Sequence, residues 1–385
     1  MLQRILLSLS VLIILASVSL LKYVKLPSFT LQPTAQEPQE TADVTGTTTT
    51  QSLSISATTS IPAKTTSTSA TKAKPLKKLA TEPKPIATAS PVTEVLTFPI
   101  KPPTDFETIN TNAQKAIVNI LCTTGGNSLS PISGTGIIVN PGGVILTNAH
   151  VAEYFLLRNF YQKDFVQCII RTGSPAQPRY HAELVYISPT WVQNNKDVAK
   201  QSNPTGTGEN DFAFLRITDS INGSLPPEFN YVLLNTRENT DKGETVVLIS
   251  YPAGFLGGIA IQQNLNVASA ITTIQDFFTF NENTIDLLSL GGTVVSQKGA
   301  SGGAVVDESS SVIGLISISS SGATTGDRKL YAITPSHISR TLQSEIGMNL
   351  NKFLSQDMAI FAKKFQSITA PILTKIITDE LTKNQ

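Results

Sequence analysis

From Asp105 onward the chain alternates short, β-branched apolar runs with Gly, Pro and Asn turn signals, the pattern of successive hairpins. Residues 114–122 read as a short helical lead-in running into a strand. Residues 134–139, the turn Asn140-Pro141-Gly142-Gly143, and 144–146 read as strand, turn and strand. Further strands are expected at 166–171, 182–187, 212–217, 245–249, 268–273, 294–296, 303–306 and 312–318, and no long helical period appears before Pro335. About a dozen strands over about 240 residues predict an all-β fold, two six-stranded antiparallel β-barrels side by side with a cleft between them.

The pattern changes at both ends. After a short helix expected at 335–346, Leu350, Leu354, Met358, Phe361, Phe365, Ile368 and Ile372 recur at steps of four and three, one apolar face of a helix that Pro371 interrupts. Such a stripe docks on its own domain, pairs with a second copy to make a homo-oligomer, or lies on a membrane surface. At the other end, residues 5–21 are uncharged and mostly apolar between Arg4 and Lys22. At roughly seventeen residues the run is short for a membrane span. A cleaved signal peptide competes, with Ala16, Ser17 and Ser19 as small residues, but Leu20 and Leu21 continue the stretch and favour an uncleaved signal-anchor. Residues 26–104, rich in Thr, Ser, Ala, Pro and Lys, have no apolar period and read as a tether. As a flexible chain it would span about 50 Å. The expected organisation is therefore a transmembrane helix at 1–25, a linker at 26–104, a β-rich domain at 105–345 and a helical tail at 346–385. That arrangement favours a membrane-anchored protein whose folded domain is extracytoplasmic.

Composition removes some partners. Over 385 residues the net charge is +1, and no basic run is long enough to follow a phosphate backbone, so nucleic acid is not expected. The two cysteines, Cys122 and Cys168, lack metal-ligand spacing; they form one bridge outside the cytoplasm or remain two buried thiols. No metal or cofactor is expected.

The chemistry centres on Gly299-Ala300-Ser301-Gly302-Gly303. A serine flanked by glycines can sit on a tight turn where its own N–H and that of the residue two before it converge, which suits a nucleophile beside an oxyanion hole. Ser301 then needs a base. Of the three histidines, His150, His181 and His337, His150 follows the run Thr147-Asn148-Ala149, where a strand gives way to a polar turn. Asp211, heading the strand Asp211-Phe212-Ala213-Phe214-Leu215, can orient that imidazole; its rival Asp197 lies in a polar stretch with no strand to fix it.

Thr147-Asn148-Ala149-His150, Asp211-Phe212-Ala213-Phe214-Leu215 and Gly299-Ala300-Ser301-Gly302-Gly303, in that order, resemble the trypsin/chymotrypsin family, specifically its bacterial branch similar to the HtrA group. Gly134-Thr135-Gly136-Ile137-Ile138, Ser250-Tyr251-Pro252-Ala253-Gly254 and Tyr331-Ala332-Ile333-Thr334 add to the likeness, which covers roughly 110–345. The resemblance implies a serine endopeptidase acting on protein or peptide substrates, with His150, Asp211 and Ser301 as a triad and the N–H groups of Gly299 and Ser301 as the oxyanion hole. By the same pattern Ser317 sits near Asp211, and Ser317 to Ser319 pair with the substrate backbone as an added strand. Val295 becomes the floor of the primary pocket and Ile318 and Ser319 its wall, with Lys329 within reach. An apolar floor implies small or medium apolar side chains, with broad preference. Ala300 replaces the aspartate by which cleavage-activated members switch on, so that switch is not expected here. The tail is too short for the PDZ domain common in the HtrA group. The alternative is a catalytically silent module of the same fold that binds peptides in its cleft.

Overall fold

The computed structural model describes residues 105–126, 128–201, 208–280, 283–319 and 324–383. The signal-anchor and linker expected over 1–104 lie outside them. Among the described residues no helix is long and apolar enough to cross a membrane.

Helix α1 (Phe106–Gln114) is capped by Asp105, whose carboxylate accepts the Thr108 N–H at 3.1 Å, and it leads into strand β1 (Ile117–Thr124). β1 joins β2 (Ile132–Ile138), β3 (Val144–Thr147), β4 (Val166–Thr172), β5 (Gln177–Ile187) and β6 (Ala213–Ser220) in a closed antiparallel barrel ordered β1-β2-β3-β6-β5-β4. A second closed barrel follows from β7 (Thr245–Ser250), β8 (Ala268–Phe278), β9 (Leu287–Leu290), β10 (Ala304–Val306), β11 (Val312–Ser319) and β12 (Leu330–Ile333), ordered β10-β11-β12-β9-β8-β7. Ile117, Ile120, Ile137 and Ile145 are buried in the first barrel, and Val246, Leu248, Ile274, Leu290 and Ile313 in the second. Each such side chain contributes about 1.5–3 kcal/mol by leaving water. The seam that closes the first barrel pairs β1 with β4, and there Cys122 stands opposite Cys168 and is bonded to it. The bridge, one of the two readings of the cysteines, is formed.

Three expectations change. The strand expected at 294–296 is a turn, and the strand of that region is β9 at Leu287–Leu290, buried along its whole length and followed by Gly291-Gly292. The turn is held by polar side chains: Ser296 Oγ accepts the Thr293 N–H at 3.0 Å and Thr293 Oγ1 accepts the Val295 N–H at 3.1 Å. The polar turn expected around His150 is instead helix α2 (Ala149–Leu156), too short to declare a helical period. Two further short helices, α3 (Pro189–Asn194) and α4 (Gly258–Gln263), arise between expected strands, in stretches given no element.

The C-terminal stripe is not one helix. After α5 (Pro335–Ile346) come α6 (Leu350–Leu354), α7 (Met358–Ile368) and α8 (Ala370–Thr382). Asp357 restarts the helix by accepting the N–H groups of Ala359 and Ile360, and Pro371 lies in the first turn of α8, where its missing N–H costs nothing. Phe353, Phe365, Leu373 and Ile377 are buried, whereas Ile368 and Ile372 from the expected stripe are exposed. These helices dock on the first barrel: Gln366 donates to the Leu184 carbonyl at 2.8 Å, Thr374 to the Leu156 carbonyl at 3.1 Å, and the Phe353 ring lies 4.8 Å from that of Phe214.

Candidate active site

His150 is the second residue of α2, and Asp211 lies two residues before β6, which pairs with β3, the strand leading into that helix. Asn148 occupies the helix cap, but its side chain does not cap; its amide donates to the Asp211 carbonyl at 2.8 Å. The Asp211 carboxylate does the capping instead. Its Oδ1 accepts the His150 backbone N–H at 3.0 Å, and its Oδ2 faces His150 Nδ1 at 2.9 Å and accepts from Ser317 Oγ at 2.8 Å. Asp211 is fully buried, so these donors replace the water it has lost. A carboxylate at Nδ1 keeps the proton there and leaves Nε2 as the acceptor. Asp197, the rival carboxylate, heads a short 3-10 turn at Val198–Lys200 and makes no bond to His150.

Ser317 reaches Asp211 because of an irregularity in β11. Pairing with β12 shifts between Ile316 and Ile318, and the extra residue re-aims the Ser317 side chain. Beyond it, Ile318 stands opposite Tyr331 and Ser319 opposite Leu330 in the ladder.

The Ser301 turn is wedged between the barrels. Gly299 has φ +88° and Gly302 φ +86°, the left-handed region that glycine adopts without strain. The Ser301 carbonyl accepts the Thr135 N–H at 2.8 Å, the Gly302 N–H donates to the Ile316 carbonyl at 2.8 Å, and Ile316 N–H returns a bond to Gly303 at 2.8 Å. The Lys298 carbonyl accepts from the Ala253 N–H at 2.6 Å, so the planar peptide turns the Gly299 N–H to the opposite side. Among the described residues neither the Gly299 N–H nor the Ser301 N–H finds an acceptor within the chain.

The structure thus joins His150, Asp211 and Ser317 by hydrogen bonds and sets the Ser301 turn against the residue preceding Ser317. It forms no hydrogen bond between Ser301 Oγ and His150 Nε2, and neither atom is buried without a partner. Val295 is fully buried among the second barrel's apolar side chains. Lys329 is exposed just ahead of β12. Two open surface grooves, of about 760 Å³ beside His181 and Gln366 and about 900 Å³ beside Phe106 and Asp241, include none of these residues. Among the described residues no group of three His, Cys, Asp or Glu side chains could hold a metal ion.

Several contributors are not evident from the sequence. Thr135 Oγ1 donates to the Gly299 carbonyl at 2.7 Å; its only signal was a polar residue between two glycines of a strand. Glu153, on α2, is fully buried with both carboxyl oxygens unpaired, and burial, followed by the charges of Asp211 and Asp197, raises its pKa well above the carboxylate range. A second buried pair, His337 Nδ1 and Asp286 Oδ1 at 3.1 Å, lies at the start of α5. Burial alone would raise Asp286, but the Phe280 N–H, Arg340, the Thr284 hydroxyl and His337 outweigh it and hold the carboxyl well below its usual range.

Residues 134–315 match the family model of the trypsin-like peptidase domain. A search of curated protein sequences finds no match. Among solved structures, the active form of the Rv3671c protease from M. tuberculosis aligns at 17% identity with a TM-score of 0.41, covering 68% of this chain and 96% of that one. Deg5 aligns at 16% identity and 0.41, covering 63% and 95%. Residues 134–315, which include His150, Asp211 and Ser301, thus match a trypsin-like peptidase domain, and the two closed six-stranded barrels fit the trypsin fold of a serine peptidase.

Proposed function

We propose that this peptidase is a membrane-tethered endopeptidase working through Ser301, His150 and Asp211. The observation that carries it is the buried Asp211 carboxylate, which fixes both the backbone N–H and the Nδ1–H of His150 and so leaves Nε2 as the base. His150 Nε2 takes the proton of Ser301 as Oγ attacks the peptide carbonyl. The unspent N–H groups of Gly299 and Ser301 receive the oxyanion, a contribution worth about 3 kcal/mol per donor in a related mechanism. The same proton passes to the leaving amine, and water then releases the acyl group by the reverse sequence. Hydrogen bonds of this kind commonly close only once substrate is bound, which fits the missing Ser301–His150 bond.

The buried Val295 supports a preference for small or medium apolar side chains, broad because apolar pockets discriminate by only about 1–3 kcal/mol. The Cys122–Cys168 bridge supports an oxidising compartment and hence an extracytoplasmic domain on the expected anchor. Self-association through the C-terminal helices would use Ile360, Ile368 and Ile372, exposed on α7 and α8. Sedimentation at monomer mass would exclude it.

Fluorophosphonate labelling tests the central claim. The wild-type protein should be modified and Ser301→Ala should not. Folded protein that stays unlabelled in the presence of a peptide substrate is a binding module and not a protease.

A further inference from the structure

Helix α5 carries three polar side chains at steps of four, His337, Thr341 and Glu345, on one face. Each is committed to a different partner. His337 is tied to the second barrel through Asp286, which also accepts from Arg340 at 2.6 Å, and Thr334 caps the helix by accepting the His337 N–H while donating to the Ile285 carbonyl at 2.7 Å. Glu345, at the other end, accepts from Ser188 Oγ at 2.8 Å and from the Tyr186 hydroxyl, both at the end of β5 in the first barrel. Between them, Thr341 Oγ1 lies 3.5 Å from His337 Nε2 and donates to Asn210 Oδ1 at 3.0 Å. The helix therefore spans the junction of the barrels, anchored in both.

Asn210 directly precedes Asp211. It holds φ at +59°, a region costly for a residue with a side chain, while its carbonyl accepts the Phe212 N–H at 2.8 Å across Asp211. That tight turn sets the direction in which the Asp211 side chain leaves the backbone. An off-region conformation persists only where the surroundings over-determine it, and the Thr341 hydroxyl, buried on α5, is the side-chain contact that holds the Asn210 amide. We infer that Asn210 is a positioning residue: helix α5, through Thr341, locks the strained turn that aims Asp211 at His150, so that the seating of the second barrel's last helix sets the geometry of the pair in the first. This rests on the reading of His150 and Asp211 as base and orienting group.

The variants Thr341→Val, which keeps shape and loses the hydroxyl, and Thr341→Ser, which restores it, test the inference in the full chain. For Thr341→Val the expectation is a kcat lowered about tenfold with KM unchanged, as a small misplacement of a catalytic partner produces. Thr341→Ser should recover it. The His150 Nδ1 proton resonance, read by NMR without substrate, should shift upfield or broaden in Thr341→Val and not in Thr341→Ser. A folded Thr341→Val protein with the wild-type kcat and Nδ1 resonance overturns the inference, as does a variant that loses only thermal stability. Failure of the wild-type protein to label with a fluorophosphonate would instead bring down the protease reading, and the Nδ1 resonance would still decide whether Thr341 positions the pair.

Discussion

Thr135 and Tyr251 belong to different barrels, and the Tyr251 N–H donates to the Thr135 hydroxyl at 3.0 Å while that hydroxyl donates to the Gly299 carbonyl. One side chain thus fixes the Ser301 turn against both halves of the fold. Thr135→Val keeps the shape and leaves a buried N–H and a buried carbonyl unpaired, at about 1–3 kcal/mol each. The expected result is a lower midpoint in urea and a reduced kcat at unchanged KM, both recovered in Thr135→Ser. A Thr135→Val protein as stable and as active as the wild type would show that the hydroxyl bridge is dispensable.

Two glycines with the same backbone hand should respond differently to alanine. At Gly302 a Cβ would sit 1.9 Å from the Thr135 carbonyl oxygen and 2.6 Å from Thr147 Oγ1, with φ at +86°. At Gly347, which ends α5 with φ +71°, a Cβ meets nothing within 4 Å. Gly347→Ala should cost about 1 kcal/mol, the backbone penalty alone. Gly302→Ala should cost more than about 4 kcal/mol, since it forces the Ser301 turn away from β2. Thermal unfolding of the pair checks the contrast, and equal shifts would refute it.

The two barrels were legible because most strands advertise themselves by β-branched runs between turn residues. β9 did not, since Leu287 to Leu290 is buried along its length and so does not alternate. The run at 294–296 imitated a strand, but the Val295 N–H goes to the Thr293 hydroxyl and the Ser296 N–H to the Thr293 carbonyl, which closes a turn. The motif residues His150, Asp211 and Ser301 stand out by local spacing. Their supports do not: Thr135 meets Gly299 across 164 residues and Thr341 meets Asn210 across 131, distances over which nothing local encodes a contact. The cysteines stayed ambiguous until the β1–β4 register put them face to face. In the tail the apolar period survived two breaks, so the stripe named several buried positions yet hid the restart at Asp357.

The Cys122–Cys168 bond crosses the seam that closes the first barrel and encloses 46 residues of separation. In the chain-entropy account a loop of that size stabilises by up to about 4 kcal/mol. The double variant Cys122→Ala/Cys168→Ala should unfold at lower temperature, and reductant should lower the wild-type midpoint while leaving the variant's unchanged. A wild-type midpoint indifferent to reductant would mean that the β1–β4 ladder holds the seam without it.

Glu153 supplies a pH dependence whose sign follows from its burial. The folded protein keeps the carboxyl protonated, whereas the unfolded chain ionises it near the ordinary value of 4.5. Above that pH the unfolded state binds fewer protons than the folded one, so stability attributable to this group is lost as pH rises, until the folded group ionises too. Glu153→Met fills a similar volume, removes two unpaired buried oxygens and abolishes the linkage. Relative to wild type, the variant should gain on the order of 1–3 kcal/mol at pH 8 and progressively less toward pH 4.5. Urea unfolding of both proteins at the two pH values measures the difference. A gap that stays constant with pH would mean that Glu153 does not change its protonation on unfolding, and a wild-type protein more stable than the variant at pH 8 would mean that the buried carboxyl has found a partner in solution.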